Sequence, residues 1–350
     1  MAAKRLAVKA KCHTLLYGVE LSAMDLKRED EDQTAVLVQT SSGTTGDPKV
    51  ICRDWDSIDE ELESYTKSFT LPQEMTPIIA CPVTHSYGLI AGVLVAMRRG
   101  QHPIIVSNIN PKYLLKKLLT TPSHLLYSSP ALLNSVVQLY PNGQKLHAVM
   151  TSGTVLPQSW FDALKAKAQF VFQQYGCSEA GCIAINPQTE SANQIGKPLP
   201  HLMVTAGENI DAPAEIVVTK GELVIYTQDI GYVDPSGQLC FVSRSDDMIN
   251  VSGLNVYPQD VENVVMEIPE VSDAVVFKRA DSLSGERVCL QFVADINIEP
   301  SRIRHWCSTR LASFQLPIDV EQRDAIEKMP NGKVNRKALS QSKISLPALG

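Results

Sequence analysis

Ten residues, Thr40-Ser41-Ser42-Gly43-Thr44-Thr45-Gly46-Asp47-Pro48-Lys49, constrain this chain more than any other stretch. They place hydroxyls, two glycines and a lysine in one loop directly after the apolar run Ala35-Val36-Leu37-Val38, which reads as a buried strand. Gly43 and Gly46 let backbone N–H groups turn toward an anion with no Cβ in the way. Ser41, Ser42, Thr44 and Thr45 add hydroxyl donors, and Lys49 ends the loop with a positive charge. The pattern predicts a phosphate-binding loop. Its spacing differs from Gly-x4-Gly-Lys-Ser/Thr, so it is not a Walker A loop, and taken alone such a cluster also suits a solvated turn.

At 350 residues the chain is too long for one compact core, and two domains are expected. A net charge of -6, without a clustered basic patch, argues against a nucleic-acid partner. The longest apolar run, residues 88–97, is too short to span a bilayer and ends in Arg98-Arg99, which predicts a buried helix. Residues 1–11 carry four basic side chains with no signal-peptide core behind them, so a cytoplasmic protein is expected. The eight cysteines lack metal or redox spacing and read as buried, reduced thiols.

Between residues 35 and 175 short β-rich runs alternate with helical periodicity. Strands are expected near residues 77–81, 103–106, 124–127, 146–150 and 169–173, and helices over 57–68, 111–119, 130–139 and 157–167. Proline opens three of these helices, where its missing N–H costs nothing. Such alternation implies a mostly parallel sheet layered with helices. After Gly181 short strands and turns predict a small β-rich, antiparallel or barrel-like subdomain. Past Asp247 a helix over residues 258–268, strands over 274–278 and 287–294 and a helix near 301–311 predict a small α+β domain.

Five segments occur in order: the loop, Tyr175-Gly176-Cys177-Ser178-Glu179, Thr227-Gln228-Asp229, Arg244-Ser245-Asp246-Asp247 and Pro330-Asn331-Gly332-Lys333. Together they resemble the ANL superfamily of adenylate-forming enzymes, which holds acyl- and aryl-CoA synthetases, peptide-synthetase adenylation domains and luciferases. The resemblance runs from about residue 33 to about residue 340. It implies a large AMP-binding domain over residues 35–244 and a small mobile domain over 245–350, with residues 1–34 as a shortened front where family members carry a long first subdomain. The faces left by that difference are expected to lie against residues 1–34, a partner or a second copy, with a homodimer as one outcome.

The resemblance also implies roles. The loop residues Ser41 to Lys49, Thr44 among them, hold the phosphates of ATP; Glu179 ligates Mg2+; Tyr175, Gly176 and Ser178 border the adenine and acyl chain; Asp229 and Arg244 clamp the ribose. Lys333 is the adenylation lysine, Asp246 the hinge, and His85, Ser152, Gly153 and Cys177 wall the acyl pocket. Ser252 and Gly253 resemble the loop of acyl-CoA synthetases that lines the thiol tunnel. The expected reaction is ATP-dependent conversion of an acyl or aryl acid to acyl-AMP, then transfer to the thiol of CoA or a phosphopantetheinyl carrier protein. A catalytically degenerate nucleotide-binding protein is the alternative.

Overall fold

The computed structural model describes residues 14–17, 22–25, 36–41, 49–106, 110–329 and 333–342. Residues 42–48, where the sequence predicts a phosphate-binding loop, and most of residues 1–34 lie outside the described residues. The strands that flank the loop are described: Val36–Ser41 and Lys49–Asp54 pair antiparallel as a separate two-stranded ribbon.

The main body is built on one eleven-stranded sheet. Ile104–Ile105, Thr76–Ile79, His124–Ser128, Leu146–Thr151 and Ala168–Cys177 form its parallel half. The helices expected between them are present as Trp55–Ser68, Pro111–Leu119, Pro130–Leu139 and Gln158–Lys167. Asp54 caps the first, its Oδ1 accepting from Ser57 N at 2.6 Å. Alternation along the strands splits the core between the two faces. Leu126, Val149 and Val171 pack on one side with Phe161 and Leu133, and Tyr127, Met150 and Phe172 on the other with Tyr65 and Ile90.

The apolar run at residues 88–97 is a helix, as expected, but of unexpected form. Tyr87–Leu94 is π-helical and continues as the α-helix Val95–Arg98. Such widened turns are frequent at functional sites.

The β-rich region is not a separate barrel. Gly181, at φ +77°, turns the chain so that Gly181–Asn186 folds back antiparallel on Ala168–Cys177. Gln194–Pro198, Leu239–Arg244, Leu223–Val233, Ala214–Lys220 and Met203–Thr205 then extend the same sheet antiparallel. Up to Cys177 the main sheet is parallel, as expected, and its antiparallel half is the β-rich region that follows Gly181.

Beyond it lies a second sheet in the order Leu254–Val256, Ile249–Val251, Gly285–Ala294, Val271–Asp281, with Asp319–Gln322 parallel to Gly285–Ala294. Helices Pro258–Met266 and Pro300–Ser308 cover it through Val261, Val265, Ile303 and Cys307. This α+β unit touches the main body at Trp160, whose Nε1 donates to Ser272 O at 3.4 Å and over whose ring Lys328 sits.

Among the described residues the cysteines are free; Cys52 is exposed, unlike the buried thiols expected, because it sits on the ribbon. No helix of the described residues is long and apolar enough to cross a membrane.

Candidate active site

A cleft of about 2280 Å³ runs between the C-terminal ends of the parallel strands and the small α+β unit. His85, Ser152, Gly153, Tyr175, Gly176, Cys177, Ser178, Glu179, Asp229, Arg244, Asp246 and Lys333 all line it. These positions span nearly 250 residues of sequence, and the topology brings them to one wall-to-wall space.

Strand register does much of this work. Asp229 and Arg244 are direct partners on neighbouring strands, and the guanidinium Nη1 meets Asp229 Oδ1 at 3.1 Å. Asp229 does not stand at a strand end. It sits inside Leu223–Val233, next to a register shift and just after Gln228 at φ +60°. That irregularity turns the carboxylate toward the cleft. Its Oδ2 accepts from the Tyr175 hydroxyl at 2.7 Å. Burial raises the Asp229 pKa, against the opposing pull of Tyr175, Arg244 and Lys333. Burial and the Asp229 charge together keep the Tyr175 phenol protonated far beyond its ordinary range.

Glu179 lies in the turn between Cys177 and Gly181, half-buried. Gly176 is dictated by this turn: a Cβ there would stand 2.2 Å from Gly181 O. The backbone return, not only an approaching ligand, requires the glycine. Two residues invisible to the sequence reading brace the same turn from behind. Glu61 Oε1 accepts from Cys182 N at 2.7 Å, and its Oε2 pairs with Arg53 Nη1 at 2.7 Å in a fully buried contact.

Lys333 stands exposed at the mouth of the cleft, and Met329 N donates to its carbonyl at 2.8 Å. Crowding by protein and the nearby Arg244 guanidinium lower its pKa, while Asp229, Asp247 and Asp246 act in the other direction. Three residues on, Arg336 anchors this segment: its Nη2 pairs with Glu262 Oε1 at 2.6 Å, Nη1 with Asp247 Oδ2 at 3.3 Å, and Nε donates to Val276 O at 2.9 Å. Arg336 is thereby held inside, although basic residues flank it in the sequence.

Ser252 and Gly253 are not brought to the cleft. Both have positive φ, 53° and 88°, and they form the two-residue turn between Ile249–Val251 and Leu254–Val256. Asp246 lies in the turn joining the main sheet to the small unit, where Arg244 Nε reaches its Oδ1 at 3.1 Å. Among the described residues no cluster of three or more His, Cys, Asp or Glu could hold a metal ion.

Comparison with known proteins agrees with this layout. Residues 5–230 match the family described as AMP-binding enzyme, and residues 260–333 match the AMP-binding enzyme C-terminal domain. The 3,4-dihydroxybenzoate–[aryl-carrier protein] ligase of Bacillus anthracis is 39% identical over 97% of this chain and 82% of its own length. The 2-succinylbenzoate–CoA ligase of Lactococcus lactis is 21% identical over 90% of this chain and 73% of its own. Among solved structures, ATP-bound MatB from Rhodopseudomonas palustris superimposes with a TM-score of 0.79 at 20% identity, over 87% of this chain and 67% of that one. The o-succinylbenzoate CoA synthetase MenE of Bacillus subtilis, in complex with ATP and magnesium, gives 0.75 at 21%, over 90% and 72%. With both family regions matched in order and the cleft assembled between them, the chain belongs to the AMP-binding enzymes and is an ATP-dependent ligase that adenylates a carboxylic acid and passes it to a thiol.

Proposed function

We propose that the acid is a hydroxylated aryl acid and that the acceptor is the phosphopantetheine thiol of an aryl-carrier protein. The observation that carries the adenylating half is the buried Asp229 carboxylate, held between the Tyr175 hydroxyl and the Arg244 guanidinium within the field of Lys333. The aryl and carrier-protein half is supported by the 39% identity to the Bacillus anthracis ligase over almost the whole chain.

A carboxylic acid with a pKa near 4 is already ionised at pH 7, so the first step needs no general base. Positioning and charge neutralisation suffice. In this reading Asp229 accepts the ribose hydroxyls and Arg244 holds a ribose or phosphate oxygen. Lys333 approaches from the small unit and offsets the charge that develops between the acid's carboxylate and the α-phosphorus as pyrophosphate leaves. Glu179 fits a Mg2+ site of the usual nucleotide kind, in which one carboxylate suffices because phosphates and water supply the rest. The ion would neutralise phosphate charge. Ser41 to Lys49 would hold the departing pyrophosphate.

The acyl-AMP then needs a thiol, and the cleft mouth is taken by Lys333. We assign residues 35–244 and 245–350 as the two moving parts, with Asp246 between them, so that rotation withdraws Lys333 and delivers the Ser252-Gly253 turn to the tunnel.

ATP–pyrophosphate exchange over 3,4-dihydroxybenzoate, benzoate, succinylbenzoate and a long-chain fatty acid tests the first half. Exchange limited to fatty acids would refute the aryl assignment. Thioester formation on a phosphopantetheinylated aryl-carrier protein, compared with CoA, tests the second; faster transfer to CoA would refute it.

A further inference from the structure

Gln174 sits one residue before Tyr175 but on the opposite face of its strand, the face that packs against Tyr65, Tyr127 and the π-helical segment. It is 5% exposed and lines the cleft together with Cys81, Tyr87, Gly88, Ala91 and Cys182. Of these five, Tyr87 and Cys182 have their polar groups engaged with backbone, and Gly88 and Ala91 have none. The Tyr87 phenol is used up on backbone, donating to Met150 O at 2.6 Å and accepting from Ser128 N at 3.1 Å. The Cys182 thiol donates to Ala184 O at 3.7 Å. Gly88 and Ala91 bring no polar side chain.

Gln174 differs. Tyr65, fully buried, donates its hydroxyl to Gln174 Oε1 at 2.8 Å. Burial keeps that phenol protonated, so it stays a donor. With the phenol donating, Oε1 points to Tyr65 and Nε2 points away. Among the described residues Nε2 donates to no group. The next residue back, Gln173, shows the contrast: its Nε2 is spent on Ala192 O and Gln194 O on the other face.

We infer that Gln174, oriented by Tyr65, is a specificity-determining residue that selects acids carrying a ring hydroxyl remote from the carboxylate. The amide Nε2 donates to the hydroxyl oxygen, and the second lone pair of Oε1 can accept a hydrogen bond from the hydroxyl. A neutral amide suits a neutral hydroxyl and disfavours a charged substituent. An unsubstituted ring would bury the Nε2 with no partner, and such mismatches carry strong discrimination. The inference rests on the proposed aryl-acid activity and names the side chain that sets its substrate class.

The test is the ratio of kcat/KM for 3,4-dihydroxybenzoate over benzoate in ATP–pyrophosphate exchange. Gln174→Leu keeps the volume and removes the amide, and should lower the ratio by about tenfold to a hundredfold. The loss should fall on the hydroxylated acid, with benzoate unchanged or improved. Tyr65→Phe keeps Gln174 but frees its amide to turn, and should lower the ratio by about threefold to tenfold. An unchanged ratio in Gln174→Leu, or an equal loss for both acids, overturns the inference. Should Gln174→Leu fail to fold, an unchanged ratio in Tyr65→Phe overturns it instead. Absence of exchange by the wild type with every aryl acid would refute the aryl-acid activity itself, a different failure.

Discussion

Replacing Arg336 by methionine should separate the two half-reactions of this enzyme and also measure what holds Lys333 in place. The guanidinium makes ion pairs to Glu262 at 2.6 Å and Asp247 at 3.3 Å and a hydrogen bond to Val276 O at 2.9 Å. Glu262 is itself buried, and its Oε1 also accepts from Val276 N at 2.7 Å. Methionine fills the space of the side-chain stem but leaves the Glu262 charge without a counterion. Breaking a buried pair in this way costs about 3–5 kcal/mol. The lower end applies here, since Asp247 is partly open to water. About 3 kcal/mol in a unit of this size should shift its unfolding midpoint by about 10 °C or more.

The consequence for catalysis is more specific. Arg336 opens the helix Arg336–Gln341 and is the anchor nearest to Lys333 on that side. Loosening it should slow adenylation by at least about tenfold, the loss that follows from misplacing one charged group, while thiol attack on supplied acyl-AMP is spared. Arg336→Lys keeps the charge but not the fork, and should recover part of the stability and little of the adenylation rate. Thermal unfolding, pyrophosphate exchange and a single-turnover thioester assay from synthetic acyl-AMP give the three readings. Equal loss in both half-reactions, or a variant within about 1 kcal/mol of wild type that exchanges at the wild-type rate, would refute the reasoning.

Lys333→Ala should abolish most pyrophosphate exchange yet leave supplied acyl-AMP able to react with the thiol; a matching loss in the second assay counts against its assigned role. Asp229→Asn tests the raised carboxylate: its folded pKa lies above the unfolded value of about 3.9, so its contribution to stability is whole below that pH and lost as pH rises through the folded value. The variant should therefore be at least as stable as wild type at pH 7, lose that advantage near pH 4, and show a raised KM for ATP; a destabilised variant at pH 7 contradicts the sign. Asp246→Pro should preserve exchange and sharply reduce thioester formation, because the Asp246 N–H takes part in no backbone hydrogen bond of its turn while Ser245, Asp247 and Met248 all do, so proline costs the fold little and restricts the rotation. Wild-type thioester rates in that variant would rule out a two-arrangement cycle.

Local signals carried much of the architecture. Proline at the first turn and apolar spacing placed the helices Pro111–Leu119 and Pro130–Leu139 at their observed bounds. The motif order located the wall of the cleft, since Tyr175, Glu179, Asp229, Arg244 and Lys333 do converge. What stayed hidden depends on contacts between distant segments. Nothing local in Gln174 or Tyr65 announces a hydrogen bond across 109 positions. Arg53 and Glu61 look like ordinary charges on a strand and a helix until the fold buries both. Arg336 sits among basic neighbours, and only its acidic partners, 74 and 89 positions back, distinguish it from a solvated tail. The continuation of the sheet past Gly181 escaped for a related reason: pairing partners set sheet identity, and short strands read the same in a barrel or at a sheet's end.

The ribbon that flanks residues 42–48 is held to the body by side chains rather than by strand pairing. Among the described residues Val36–Ser41 and Lys49–Asp54 pair as strands with each other and not with the main sheet, and a lone two-stranded ribbon has little stability of its own. Two polar latches fix it to the body. On one strand, Gln39 donates through Nε2 to Thr84 O at 3.2 Å and accepts through Oε1 from the Ser86 hydroxyl at 2.5 Å, beside His85. On the other, Arg53 pairs with Glu61, which in turn binds Cys182 N just past the Glu179 turn. Apolar contacts such as Ile51 and Leu37 could hold the ribbon down but would let it slide by a fraction of a residue. Directional bonds define its register against the two turns that carry His85 and Glu179. The ribbon ends that flank residues 42–48, the turn that carries Glu179 and the turn that carries His85 are thereby set relative to one another without belonging to a common sheet.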